Sequence, residues 1–208
     1  MTFTGGMGFL ADYFAVTRPL SLVLAVIATL VTAAVVHHGD RSVFTSAPFL
    51  QALGMAVSIQ LAANLTNTYY DYKNGFDTVD RRQLNYRLDR NLANGVVGEQ
   101  TVFYSMVIYY LIGISCIIPQ LISTSNPRML IMFITGISLA FCYTGGPGLK
   151  YKALGDILIF ICFGPLLMQF QSLMLTNELN NELFLYCVPI GLLAGEVDAL
   201  LIAVLDRA

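Results

Sequence analysis

The stretch "NLTNTYYDYKNGFD", Asn64 to Asp77, places three asparagines and two aspartates directly after a long apolar run, in a chain with only 13 acidic residues. On a helix, Asn64, Asn67 and Asp71 stand at i, i+3 and i+7, so their side chains stack along one face. Gly75 then offers a helix stop, and Asp77 and Asp80 follow it. Several hard oxygen donors can thus converge on one point. Such a set suits Mg²⁺, which is held by one or two carboxylates while substrate phosphates complete its shell. Two other uses fit the same residues. The asparagines can act as hydrogen-bonding glue between helices, and ionisable groups at membrane depth can line a cation or proton path.

Two basic loops favour a phosphate-bearing substrate. "KNGFDTVDRRQLNYRLDR" carries Lys73, Arg81, Arg82, Arg87 and Arg90, and "YTGGPGLKYKALGD" sets Lys150 and Lys152 beside four glycines. Lys and Arg bind phosphate as point charge or fork, and glycine permits close backbone approach. Arg81, Arg82 and Arg87 are assigned to membrane topology, whereas Arg90 and Lys150 are candidates for the substrate.

The elements that must position these groups are membrane spans. The 208 residues are 56% hydrophobic and 12% charged, about half the charge of an average soluble domain. Apolar runs long enough for a ~30 Å hydrocarbon core fall near 19–37, 47–70, 101–122, 128–144, 156–175 and 183–205. The fold expected is an all-α polytopic membrane bundle of about six helices in a single domain, 1–208. The first run lacks a small-residue cleavage site and reads as a span rather than a signal peptide. With the N-terminus inside, Arg18, Lys73, Arg81, Arg82, Arg87, Arg90, Lys150, Lys152 and Arg207 fall on the cytoplasmic side, and only Arg41 and Arg128 fall outside. The Asp-rich loop is therefore expected to face the cytoplasm. Basic residues confined to short loops argue against a nucleic-acid partner. Cys116, Cys142, Cys162 and Cys187 lie singly in apolar runs, as small hydrophobes do.

The segments "NTYYDYKNGFD" and "YTGGPGLKYKALGD" together resemble the UbiA superfamily of intramembrane prenyltransferases, in particular its menaquinone branch and the animal members that make menaquinone-4. Asn67, Asp71 and Asp77 meet the pattern N-x-x-x-D-x-x-x-x-x-D. "DRNLANGVVGEQTV" resembles the family's Asp-Arg-x-Leu segment, after an apparent insertion around 78–88, and "ALGDILIFICFGPL" is also similar. The resemblance implies transfer of a polyprenyl group from a donor such as geranylgeranyl diphosphate to an aromatic naphthoquinol, in endoplasmic reticulum or Golgi membranes. It implies Mg²⁺ at Asn67, Asp71 and Asp77, and catalytic roles for Asp71, Asp77, Lys150 and Tyr143. Substrate binding falls to Asn64, Asn67, Asp89, Arg90, Gly145, Gly146 and Lys150. Tyr69, Tyr70, Phe141 and Tyr143 would shield an allylic cation with their ring faces.

The similarity runs from about Arg18-Pro19 through Pro189. The family fold has nine helices and a second Asp-rich motif, whose spacing Glu196, Asp198 and Asp206 do not meet. The chain is accordingly expected to be C-terminally truncated, carrying the N-terminal two-thirds of the domain. A non-catalytic member that binds lipid or a partner stays open beside the enzyme, as does a transporter. Three smaller features read as ordinary: "HHGD" from His37 as an interfacial pair, Glu178 and Glu182 as solvated, and Asn126-Pro127 as a loop before the fourth helix.

Overall fold

The computed structural model describes residues 10, 13–14, 16–74, 97–152 and 154–205, without the side chains of Tyr151 and of 196–205. Helix α1, Leu22–Val36, is entered through a 3₁₀ turn, Pro19–Ser21. Proline suits that first turn because its fixed φ is already helical and its missing N–H would have no partner there. Helix α2, Ala47–Lys73, begins at Ser46, whose hydroxyl accepts from the Phe49 N–H at 3.3 Å. Its 27 residues span about 40 Å, more than the ~30 Å core, so its last turns reach the membrane surface.

Helices α3, Glu99–Thr124, and α4, Pro127–Thr144, follow. Asn126 caps α4 by accepting from the Arg128 N–H at 3.0 Å, with proline at the first position. Helix α5, Gly155–Thr176, contains a π turn at Cys162–Leu166 that includes Pro165. A proline inside a helix removes one backbone hydrogen bond and crowds the preceding turn, and the widened turn is how the helix accommodates it. Helix α6, Leu183–Leu205, closes the series.

The protein is therefore an all-α membrane bundle. Among the described residues, five helices are long and apolar enough to cross a bilayer, and α6 is apolar over Leu183–Gly195. The span boundaries expected from hydropathy agree with these limits to within a few residues. Ile108, Leu111, Ile122, Ile131 and Leu185 point outward and stay exposed, which a lipid solvent tolerates and water would not.

Packing is closest where a glycine removes a side chain. A Cβ on Gly113 of α3 would lie 2.6 Å from Ile59 Cδ1 of α2, and one on Gly164 of α5 would lie 2.7 Å from the Cys187 carbonyl oxygen of α6. Small residues of this kind let membrane helices approach where no hydrophobic drive exists between helix and lipid. Ala25, Met55, Ile117, Met129, Phe133 and Phe170 bring α1 to α5 into one apolar core. The four cysteines are free: Cys187 is buried and the others are partly so.

Candidate functional site

The site lies where α2 ends beside the loop that joins α4 to α5. The polar stripe is in place on α2, with Asn64 and Asp71 buried and Asn67 partly so. Helix α4 stops at Thr144, and Gly145 takes an extended conformation from which its N–H still bonds the Phe141 carbonyl at 2.8 Å. A Cβ on Gly145 would meet the Phe141 ring and carbonyl at 3.0 Å. Gly146 and Gly148 both have φ +54°, a left-handed conformation that side chains disfavour. The chain thereby turns sharply enough to carry the 3₁₀ turn Leu149–Lys152 back over the end of α2.

That turn delivers Lys150. Its Nζ donates to Asp71 Oδ2 at 2.6 Å and also to Asn67 Oδ1. The same Asn67 oxygen accepts from the Thr144 hydroxyl at 2.7 Å. The pair is largely shielded, with Lys150 15% and Asp71 9% exposed at the side chain. Charges so placed lose hydration, and only their pairing and hydrogen bonds offset that cost. The Tyr143 ring centroid stands 5.9 Å from the same ammonium, adding a cation–π contact.

Asn64, one turn deeper, is committed differently. Its Nδ2 donates to the Thr17 carbonyl at 2.8 Å and to Ser21 Oγ at 2.7 Å, tying α2 to the entry of α1. This is the interhelical glue considered for it from sequence. Arg18, in the same turn, holds φ 51°, a strained value for a side-chain-bearing residue.

Beneath the polar cluster lies a cleft of about 120 Å³, and Asn67, Asn64, Tyr143, Ser21 and Arg18 are on its wall. A second void of about 100 Å³, walled by side chains such as Met55, Phe133, Leu167 and Phe170, continues into the apolar core. Gln60, Ala63, Ala140, Cys162 and Phe163 border both. The two are thus consecutive parts of one path from a polar head to an apolar interior. The π turn of α5 supplies Cys162 and Phe163 to this neck.

Of the aromatics considered for cation shielding, Tyr143 lines the cleft. Tyr70 packs edge-on against Tyr69 at 5.3 Å and against Phe141 at 5.6 Å. Asp77, Asp89, Arg90 and Gly75 lie outside the described residues. Among the described residues no three His, Cys, Asp or Glu side chains come together. The described metal-ligand candidates are Asn67 and Asp71. Their oxygens already converge on one positive charge, that of Lys150, so the donor set fits a hard cation completed by phosphate oxygens.

Sequence reasoning passed over Gln60, Ser21, Thr144, Ala63 and Ala140. Gln60 stands four residues before Asn64 and seven before Asn67, so the periodicity that revealed the stripe extends one turn deeper to include it. The others have no local signal.

The chain is similar to known proteins. The model of the UbiA prenyltransferase family matches residues 25–207. A UbiA prenyltransferase domain-containing protein 1 of Dictyostelium discoideum is 32% identical over 185 residues, covering 85% of this chain and 53% of the relative. Its counterpart in Danio rerio is 32% identical over 187 residues, 88% of this chain and 53% of the relative. The Drosophila melanogaster homolog is 29% identical over 186 residues, 88% of this chain and 50% of the relative. The chain spans about half the length of the curated relatives it matches.

Proposed function

Because the chain belongs to the UbiA prenyltransferase family, we propose that it binds an isoprenyl diphosphate with its head at Asn67, Asp71 and Lys150 and transfers the isoprenoid to an aromatic quinol. The observation that carries this reading is the continuity between the cluster and the neck: a charged head and an apolar tail each find their match along one path. The acceptor is a naphthoquinol of menaquinone biosynthesis and the donor is geranylgeranyl diphosphate. Residues 1–208 act as one domain in endoplasmic reticulum or Golgi membranes, with the Asp-rich loop on the cytoplasmic side.

The chemistry follows from the groups present. The allylic C–O bond breaks, and its electron pair leaves with the diphosphate. Lys150 neutralises charge developing on the departing oxygens, in a partly shielded position where such an interaction is stronger than in water. Mg²⁺, held by Asn67 and Asp71 together with Asp77, would supply further neutralisation of the leaving group. Tyr143 borders the cleft, where its ring can face the allylic cation. An electron-rich ring carbon forms the new C–C bond, and its proton passes to the released diphosphate.

The test is prenyl transfer from radiolabelled geranylgeranyl diphosphate to menadiol by the 208-residue chain in nanodiscs, with and without Mg²⁺. Labelled product that needs Mg²⁺ and vanishes in Asp71→Asn is the expected result. Diphosphate binding without product would make the chain a binder rather than an enzyme, and an Asp71-dependent ion flux through vesicles would replace prenyl transfer with transport.

A further inference from the structure

Gln60, Ser21 and Asn64 form a closed hydrogen-bond network with one acceptor left over. The Ser21 hydroxyl donates to the Arg18 carbonyl at 2.9 Å and accepts from Asn64 Nδ2 at 2.7 Å and from Gln60 Nε2 at 3.2 Å. Its single hydrogen and both lone pairs are used. Asn64 must present its NH₂ to the Thr17 carbonyl, which can only accept, so Asn64 Oδ1 faces Gln60 and accepts from Nε2 at 3.1 Å. The orientation of the Gln60 amide follows. Turned over, it would set two oxygens against each other. Both its N–H groups are therefore spent, and Oε1 has no hydrogen-bond partner among the described residues.

Gln60 borders both the head cleft and the apolar void. It sits seven residues, about 10 Å along the helix axis, deeper than Asn67. That is the level at which the first carbons of a chain with its head at Asn67 and Asp71 would lie, and hence where the reacting partner must approach. Oε1 is thus an acceptor with capacity to spare on a residue of the cleft wall, and a hydroxyl is the donor that an aromatic acceptor can bring to it.

We propose that the side-chain carbonyl of Gln60 receives the hydroxyl of the aromatic acceptor, a role that rests on the prenyl-transfer reading above. The bond orients the ring by its oxygen and shifts electron density from the O–H bond into the ring, which raises the nucleophilicity of the carbon beside the hydroxyl. Ser21 and Asn64 are positioning residues, because they fix which end of the Gln60 amide meets the acceptor.

The experiment is equilibrium binding of 2-methyl-1,4-naphthoquinol and of its dimethyl ether, under reductant, to the 208-residue chain in nanodiscs. Geranylgeranyl diphosphate binding is measured on the same samples. The wild type should prefer the diol about 10-fold, the scale of one hydrogen bond. Gln60→Met, similar in length, and Gln60→Leu should lose that preference by weakening the diol alone, with diphosphate binding held within threefold. Ser21→Ala, which retains the carbonyl, should keep a preference for the diol.

A wild type without preference overturns the proposal, as does a preference that survives in Gln60→Met or an equal loss of diol and ether in both Gln60 variants. Absence of diphosphate binding by the wild type would overturn the prenyl-transfer reading itself. Intact diphosphate binding with an unchanged diol preference would remove Gln60 alone.

Discussion

Helix α5 has polar company at both ends, and the two ends use it differently. Near Thr176, Gln169 forms a two-point clamp on the following loop, donating to the Asn180 carbonyl at 2.7 Å and accepting from the Asn180 N–H at 3.1 Å. Ser172 donates to the Glu178 carbonyl at 2.7 Å, and the fully buried Gln171 donates to Thr29 at 2.5 Å. All of these groups are neutral, and most of their bonds go to backbone that would otherwise be unpaired. Near Gly155, by contrast, the loop before α5 brings Lys150 to Asp71 and to Asn67, and Asn67 stands on the wall of the path through the bundle. Burial of a polar group is common to both ends. Charge combined with an open cavity is found at the Gly155 end, and that combination marks a place built for a ligand rather than for packing.

The sharpest way to break this contrast is Asp71→Asn. Calorimetric titration with geranylgeranyl diphosphate and Mg²⁺ should show about a 100-fold loss of affinity, the scale of hydrogen bonds that involve charge. A loss under threefold would place the Lys150 end on the same structural footing as the other. Next in size is Ala140→Phe at the neck. Filling that position should weaken geranylgeranyl diphosphate about 10-fold while leaving the shorter geranyl diphosphate nearly unchanged, because the longer tail is the one that must pass into the apolar void. Equal weakening of both would mean that the tail takes another route.

Gln169→Leu tests the opposite end. It unpairs the Asn180 backbone and should lower unfolding stability by about 1–3 kcal/mol in a thermal or denaturant assay. Diphosphate affinity should not follow. The smallest effect is expected for Arg82→Ala, whose charge the sequence assigns to topology. Affinity within twofold of wild type would uphold the separation of site charges from topology charges, and a loss as large as that of Asp71→Asn would erase it.

The helices were legible in advance because each signal is local. Long apolar runs declare a span, Asn126-Pro127 marks the loop before the fourth helix, and the i, i+3, i+7 spacing of Asn64, Asn67 and Asp71 reveals a shared face before any packing is known. The family motifs also pointed to Lys150 and the Gly145-Gly146 turn. They did not say what each polar atom would hold. Asn64 and Asn67 share a residue type and a helix face, yet one ties down Thr17 and Ser21 while the other takes Thr144 and Lys150.

By itself, then, the sequence determined that this protein is a membrane bundle with a polar stripe on its second long helix, since hydropathy and helical period are properties of neighbouring residues. Tertiary structure alone decided that Lys150 meets Asp71 across 79 positions of chain, that the π turn brings Cys162 and Phe163 to the neck, and that Gln60 keeps one oxygen uncommitted. The physical reason is that these outcomes depend on how helices cross and how the Gly146 and Gly148 turns redirect the chain. A hydrogen bond is settled by the few ångströms between its atoms, a distance that no spacing along the chain encodes.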